Sequence, residues 1–347
     1  MAAVQGWIGV LVAVLNRSFS LGYAPLMNRS FAWLSAVWML VACAPAPQPI
    51  PEGPPPPPRI HAVGEDRSVG ERELVGRLAG ARFVLLGEAH DNPEHHRLQA
   101  RLLERLVLAG RTPAVAFEML SVDRQDAVDR ALAEPGADPE TLRVAVAWDE
   151  SGWPPFELYA PVFEAALAAG LPIAAADLSA SDRAALRERE PALISELGLG
   201  EPLPDDVRLA LEREIEEAHC GHVTPKMLPA MVRVQRARDA RLAQALLGAS
   251  GGEGRHAVLI AGAEHVRLDR GVPRALARLA PGADVVSVAF LEYPRDDAPG
   301  GPEAADRAEL AERYGGSPPF DYIWLTEPEP REDPCEKFEE ALRRMGR

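Results

Sequence analysis

Two stretches of this chain share one pattern. Val84-Leu85-Leu86 runs into Gly87-Glu88-Ala89-His90, and Val258-Leu259-Ile260-Ala261 runs into Gly262-Ala263-Glu264-His265. Each is a short apolar run that ends in Gly-x-x-His. Such runs, bounded by Gly, Pro or charge, have the length of buried strands. Others are Ala114 to Phe117, Ile173 to Ala176, Val285 to Phe290 and Tyr322 to Leu325. Between them the apolar spacing turns helical. Leu98, Leu102, Leu106 and Ala109 share one helix face, Pro161 to Ala169 is Ala-rich, and Asp205 to Ala218 and Leu228 to Leu247 carry apolar residues at periods of three and four. Strands that alternate with helices predict an α/β fold, with a mostly parallel central sheet flanked by helices. The span 182–247 holds no strand pattern and reads as a helical insertion or cap.

The strand ends carry the chemistry. In open α/β sheets, ligand sites lie beyond the carboxyl ends of the strands. Four of the apolar runs end in His or carboxylate, which brings Glu88, His90, Glu118, Asp177 and His265 toward one crevice. Arg267 follows His265 and offers a planar fork for a carboxylate or phosphate at the rim. His95 and His96 are adjacent on a helix that begins just after Pro93, so at most one points the same way as His90. Imidazole and carboxylate are ligands for zinc, iron or manganese, so Glu88, His90, Glu118 and His265 read as a divalent-metal set or as an acid–base set. His256 and His61 read as surface residues.

The amino-terminal region looks like a targeting segment. Met27-Asn28-Arg29-Ser30 precedes an apolar run from Phe31 to Ala42, which is shorter than the roughly 20 residues of a spanning helix. Met27 is therefore the expected start, and 1–42 an upstream and signal segment. Leu40-Val41-Ala42-Cys43 resembles the lipobox of bacterial lipoproteins, in which the cysteine is lipidated. Residues 43–58 then form the lipid anchor and a stiff proline-rich tether, and the folded domain spans 59–347. The expected location is a bacterial cell envelope, anchored to a membrane by lipid. With Cys43 lipidated, Cys220 and Cys335 remain. In an oxidising compartment they pair, and otherwise Cys220 stays free. The formal net charge of −15, with five Tyr and nine Phe, disfavours nucleic acid as a partner.

Taken in order, Gly87-Glu88-Ala89-His90-Asp91 with His95-His96, Phe117-Glu118-Met119, His219-Cys220-Gly221, Gln235-x-x-Arg238-Asp239, Gly262-x-x-His265-Val266-Arg267, Gly271-Val272-Pro273 and Asp321-Tyr322-Ile323-Trp324 resemble the ChaN-like haem-binding lipoprotein family. The resemblance runs from about Arg59 to the carboxyl terminus. That family belongs to a superfamily with the Tiki proteases, TraB-like proteins and erythromycin esterases, which share the paired Gly-Glu-x-His and Gly-x-x-His elements. It implies haem or iron handling at the cell surface, with haem, a membrane and a second copy of the chain as partners. Haem needs an apolar slot, an axial ligand and cations for its propionates. The axial candidates are His219, His222, Tyr159 and Tyr322, and Met227, Leu228, Met231, Val232 and Arg233 could line the slot. Two functions follow: a haem-binding uptake lipoprotein without catalysis, or a metal-dependent hydrolase built on the crevice.

Overall fold

The computed structural model describes residues 59–251, 255–293 and 310–344. The signal segment, Cys43 and the proline-rich tether lie outside them. In chain order the elements are β1 (Arg59–Ala62), β2 (Arg67–Val69), α1 (Glu71–Gly80), β3 (Phe83–Glu88), α2 (Pro93–Leu108), β4 (Ala114–Ser121), α3 (Gln125–Ala133), α4 (Pro139–Ala145), α5 (Phe156–Ala168) and β5 (Ile173–Asp177). Four helices follow without a strand: α6 (Ala180–Glu188), α7 (Pro191–Glu196), α8 (Asp205–Ala218) and α9 (Leu228–Ala249). Then come β6 (Ala257–Gly262), α10 (Val272–Leu279), β7 (Val285–Glu292), β8 (Tyr322–Thr326) and α11 (Pro334–Arg344).

These strands form one eight-stranded sheet in the order β2-β1-β8-β7-β3-β6-β4-β5. From β8 to β5 every pairing is parallel, and β1 and β2 add an antiparallel edge. Alternate residues face opposite sides, as a period of two requires. Val84, Leu86, Val258 and Ile260 pack with Leu102, Leu106 and Phe163 on one face, under α2 and α5. Phe83, Leu85, Leu259 and Ala261 pack with Leu242, Leu246 and Leu276 on the other, under α9 and α10. Both faces are covered, so the strands read as continuous apolar runs.

Connectivity opens the site. The chain leaves β3 and β4 toward the α2/α5 face and leaves β6 toward the α10 face, yet β6 lies between β3 and β4. Neighbouring connections that depart to opposite faces leave a crevice at the carboxyl edge. Gly87 lets the turn after β6 close onto β3. A Cβ there would stand 2.4 Å from Val266 Cγ2 and 2.8 Å from Ala263 Cα. On the other flank, Asn92 caps α2 by accepting from the amides of Glu94 and His95, with Pro93 in the first turn.

The helical span divides. α6 and α7 form a small apolar cluster with α9 through Leu186, Leu193, Leu197, Ala237 and Ala240. α8 and the start of α9 form another, through Leu211, Ile215, Val223 and the half-buried Met231 and Val232. The second half of α9 is no cap, because Leu242, Ala243 and Leu246 lie in the sheet core. Cys220, in the α8–α9 turn, is joined to Cys335 of α11. Closing 115 residues of sequence contributes about 4–5 kcal/mol in the chain-entropy account. His61 is not at the surface as its place beside the tether implied; it sits in β1, buried between β2 and β8. His256 is half-buried, and its Nδ1 donates to the Ala81 carbonyl. Among the described residues no helix is long and apolar enough to cross a membrane.

Candidate functional site

The structure brings Glu88 and Glu118, on β3 and β4, together with His90 and His265, in the turns that follow β3 and β6. Glu118 is their hub. It lies inside β4 with no exposed surface, so its charge must be met within the protein. One oxygen, Oε2, accepts from the Gly262 amide at 2.7 Å. The other, Oε1, accepts from Arg238 Nη2 at 2.5 Å and lies 3.3 Å from His265 Nε2 and 3.9 Å from His90 Nε2. Burial pushes the Glu118 carboxyl up, but His265, Arg238 and His90 outweigh it and hold it well below the carboxylate range. Gly262 carries no side chain because His90 fills that space; a Cβ there would stand 2.9 Å from His90 Nε2.

Each imidazole is backed by its own carboxylate. His90 Nδ1 donates to Glu88 Oε1 at 2.9 Å, and His265 Nδ1 donates to Asp239 Oδ1 at 2.6 Å. Two dyads thus face one carboxylate. Desolvation disfavours the charged His265, yet Glu118 and Asp239 raise it to about 10. Glu88 also accepts from the Tyr159 hydroxyl at 2.7 Å, and its Oε2 lies 3.2 Å from His96 Nδ1. Against burial, His96 and His90 lower the Glu88 carboxyl to about 2. His96 turns toward His90, whose carbonyl accepts from its Nε2 at 3.1 Å, whereas His95 turns away to Thr326. The two adjacent histidines therefore diverge, as helix geometry requires.

Asp177, at the end of β5, accepts from Arg238 Nε at 3.0 Å and from Arg183 Nη2 at 2.8 Å. A cleft of about 210 Å³, lined by Met119, Trp148, Trp153, Asp177 and Arg183, adjoins the crevice at Asp177 and Trp153. Trp153 stands edge-on to His90, with ring centres 4.9 Å apart.

Several expected roles are corrected. Arg267 is not at the rim. It pairs with Asp269 and Glu264 and lies over the Tyr314 ring, because the 3-10 turn Ala263–Val266 directs His265 inward and the chain then turns away. Arg238 is the crevice's arginine. Tyr159 is fully buried and braces Glu88, so its oxygen faces no ligand surface. Tyr322 is buried in the apolar cluster on the α1/α2 face, opposite α9. The divalent-metal set does not form either. Among the described residues no group of three or more His, Cys, Asp or Glu is placed to hold a metal ion, and the Arg238 guanidinium already lies between Glu118 and Asp177. His219 and His222 stand in the α8–α9 turn, away from the crevice residues.

Arg238 and Asp239 were visible only as part of the Gln-x-x-Arg-Asp motif. Their spacing on a charged helix gives no sign that the helix crosses the carboxyl edge of the sheet.

The family model described as haem-binding uptake, Tiki superfamily, ChaN matches residues 74–276, more than half of the chain. The chain belongs to this ChaN family. Among solved structures it is similar to ChaN of Campylobacter jejuni, described as showing cofacial haem binding. Identity is 20%, the match covers 79% of this chain and 98% of that one, and the TM-score is 0.60. More distant are the type III effector HopBA1, at 14% identity over 79% of this chain and 96% of the other with a TM-score of 0.39, and an erythromycin esterase, EreC, at 15% over 80% and 99% with a TM-score of 0.38. No curated protein matches the sequence.

Removing Arg238 strands two buried carboxylates. Arg238→Met should lower unfolding stability by roughly 3–5 kcal/mol in urea titration, and Arg267→Met, whose partners Asp269 and Glu264 reach solvent, should cost less. A second expectation concerns pH. The imidazole of an unfolded chain titrates near 6.5, and in the folded protein His265 is raised to about 10. Its ion pairs therefore stabilise the fold fully below about pH 6.5 and lose that contribution as pH rises through about 10. The stability gap between the parent and His265→Gln should be widest near pH 6 and shrink toward pH 10, measured by urea midpoints across that range.

Proposed function

We propose that this ChaN-family protein captures haem for uptake on the α8–α9 hairpin, with His219 as an axial ligand, and that it acts as a lipid-anchored protein of a bacterial cell envelope. One observation carries the ligand assignment. His219 Nδ1 lies 2.7 Å from the Ile215 carbonyl, which can only accept. The proton therefore sits on Nδ1 and the lone pair on Nε2, the tautomer a metal requires. The hairpin also suits an apolar ring. Leu211, Ile215 and Val223 form its interior, Val207, Leu228, Met231 and Val232 are half-buried around it, and Met227 is 50% exposed. Bound haem would supply the iron that is carried. The cystine of Cys220 and Cys335 steadies the turn and takes the Cys220 sulfur out of the ligand set. The Campylobacter relative is described as binding haem cofacially, and a second copy of this chain is a further candidate partner. Cys43 and the proline tether support the envelope location.

Haem titration followed by absorbance should give a bound-haem spectrum with the parent. His219→Ala should lose it or shift it to a weaker ligand field, and His90→Ala should keep it. In the full chain, Cys43→Ser should move the protein from the membrane to the soluble fraction with haem binding unchanged. An unchanged spectrum in His219→Ala would remove this ligand.

The crevice supports a second reading, acid–base hydrolysis without a metal. Glu88 holds the His90 proton on Nδ1 and leaves Nε2 as a base, and the His90 side chain is 11% exposed beside the cleft. Ester hydrolysis that vanishes in His90→Ala but persists in His219→Ala would establish it; no turnover across an ester panel would dismiss it.

A further inference from the structure

The cleft beside the crevice is lined by charged groups that neither the haem nor the hydrolysis reading uses. Two 3-10 turns contribute to its wall: Val122–Arg124, which follows β4, and Trp148–Glu150, which lies between α4 and α5. Arg124 and Glu150 both line the cleft, and both are exposed. Among the described residues neither forms an ion pair, whereas Asp149, exposed beside Glu150, pairs with Arg143. Two opposite charges thus share one cleft without reaching each other. The remaining charged groups of the cleft are already matched. Arg183 Nη2 donates to Asp177 at 2.8 Å, and Asp177 also accepts from Arg238.

The same wall has an apolar part. Met119 and Trp148 are buried, and Trp153 is half-buried. Both indoles are held in place. Trp148 Nε1 donates to the Pro154 carbonyl at 2.9 Å, and Trp153 lies edge-on to His90 with Arg238 Cζ 6.0 Å from its ring centre. The turn that carries Trp148 and Glu150 begins at Ala147, whose φ of 51° is in the left-handed region that a Cβ disfavours. Strain of this kind persists only where its surroundings fix it, and it gathers at ligand clamps. Size narrows the occupant. At about 210 Å³ the cleft is smaller than the roughly 300–1,000 Å³ that encloses a drug-sized molecule.

We propose that this cleft binds a small zwitterion, an α-amino acid with an apolar side chain. Arg124 takes the carboxylate through the planar fork of its guanidinium. Glu150 takes the ammonium, which the face of a neighbouring indole also favours. The apolar side chain lies against Met119 and the two indoles. A ligand with one charge of each sign matches both unpaired groups at once. A dianion would meet Glu150, and a simple cation would meet Arg124, each as a like charge. This assignment rests on neither the haem nor the hydrolysis reading.

The test titrates the full chain calorimetrically at low salt with L-phenylalanine and L-leucine, at least one of which should bind. Arg124→Gln and Glu150→Gln change exposed, unpaired side chains, so both variants should melt with the parent. Each should lose about tenfold or more in affinity for that amino acid, as expected when a charge-assisted pair is removed. Two analogues separate the charges. The amino-acid amide lacks the carboxylate and should bind the parent and Arg124→Gln alike, more weakly than the amino acid binds the parent. The N-acetyl derivative lacks the ammonium and should bind the parent and Glu150→Gln alike, again more weakly. The proposal is overturned if neither amino acid binds the parent, if either variant binds as tightly as the parent, or if either analogue binds the parent as tightly as the amino acid does. Such a failure would leave the haem and hydrolysis readings to their own tests.

Discussion

The buried carboxylate of Glu118 organises this molecule. It sits inside β4 with no access to water, and the groups that stabilise it converge from distant parts of the chain: Arg238 from α9, His265 from the 3-10 turn after β6 and backed by Asp239 of α9, His90 from the turn after β3, and the Gly262 amide at the end of β6. A charge of that kind is tolerated only when its partners are held in place. Arg238 and Asp239 are consecutive on α9, so the same requirement clamps that helix across the carboxyl edge of the sheet. The start of α9 then projects beyond the edge, where it pairs with α8 to make the hairpin. The cystine to α11 holds the far end of that hairpin.

This arrangement separates two chemistries. The crevice is saturated with internal ion pairs, and it meets the cleft through Trp153, which stands against His90, and Asp177, which pairs with Arg238. The hairpin is the reverse. Its apolar cluster is small, Val207, Leu228, Met231 and Val232 around it are half-buried, and His219 holds its proton on Nδ1 toward the Ile215 carbonyl. The proposed haem site therefore lies on the second surface, not the first. Under the proposed haem reading, the internal network is a rigid foundation for the hairpin, as expected of ligand sites built on elements whose own side chains are locked.

Much of this was legible from residues alone, for identifiable reasons. Strands buried on both faces give uninterrupted apolar runs, so all six parallel strands stood out, and their terminal Glu, His and Asp marked the crevice. β1 and β2 were not legible. They are four and three residues long, and β1 pairs with β8 across most of the chain. Arg267 drew attention because it follows His265 in sequence, yet a short 3-10 turn sends the two side chains to different places. Arg238 lies 120 residues from Glu118, and nothing in a helical charge pattern states which strand a helix will cross. Tyr159 shows the same limit: its ring is core, and its hydroxyl matters only through Glu88, 71 positions away.

The division between foundation and ligand surface is tested most directly by locating the iron. Diffraction at the iron edge from crystals of the haem-loaded protein should place the anomalous peak at bonding distance from His219 Nε2, with the network around Glu118 unchanged. A peak between His90 and His265, with Arg238 displaced from Glu118, would contradict the account.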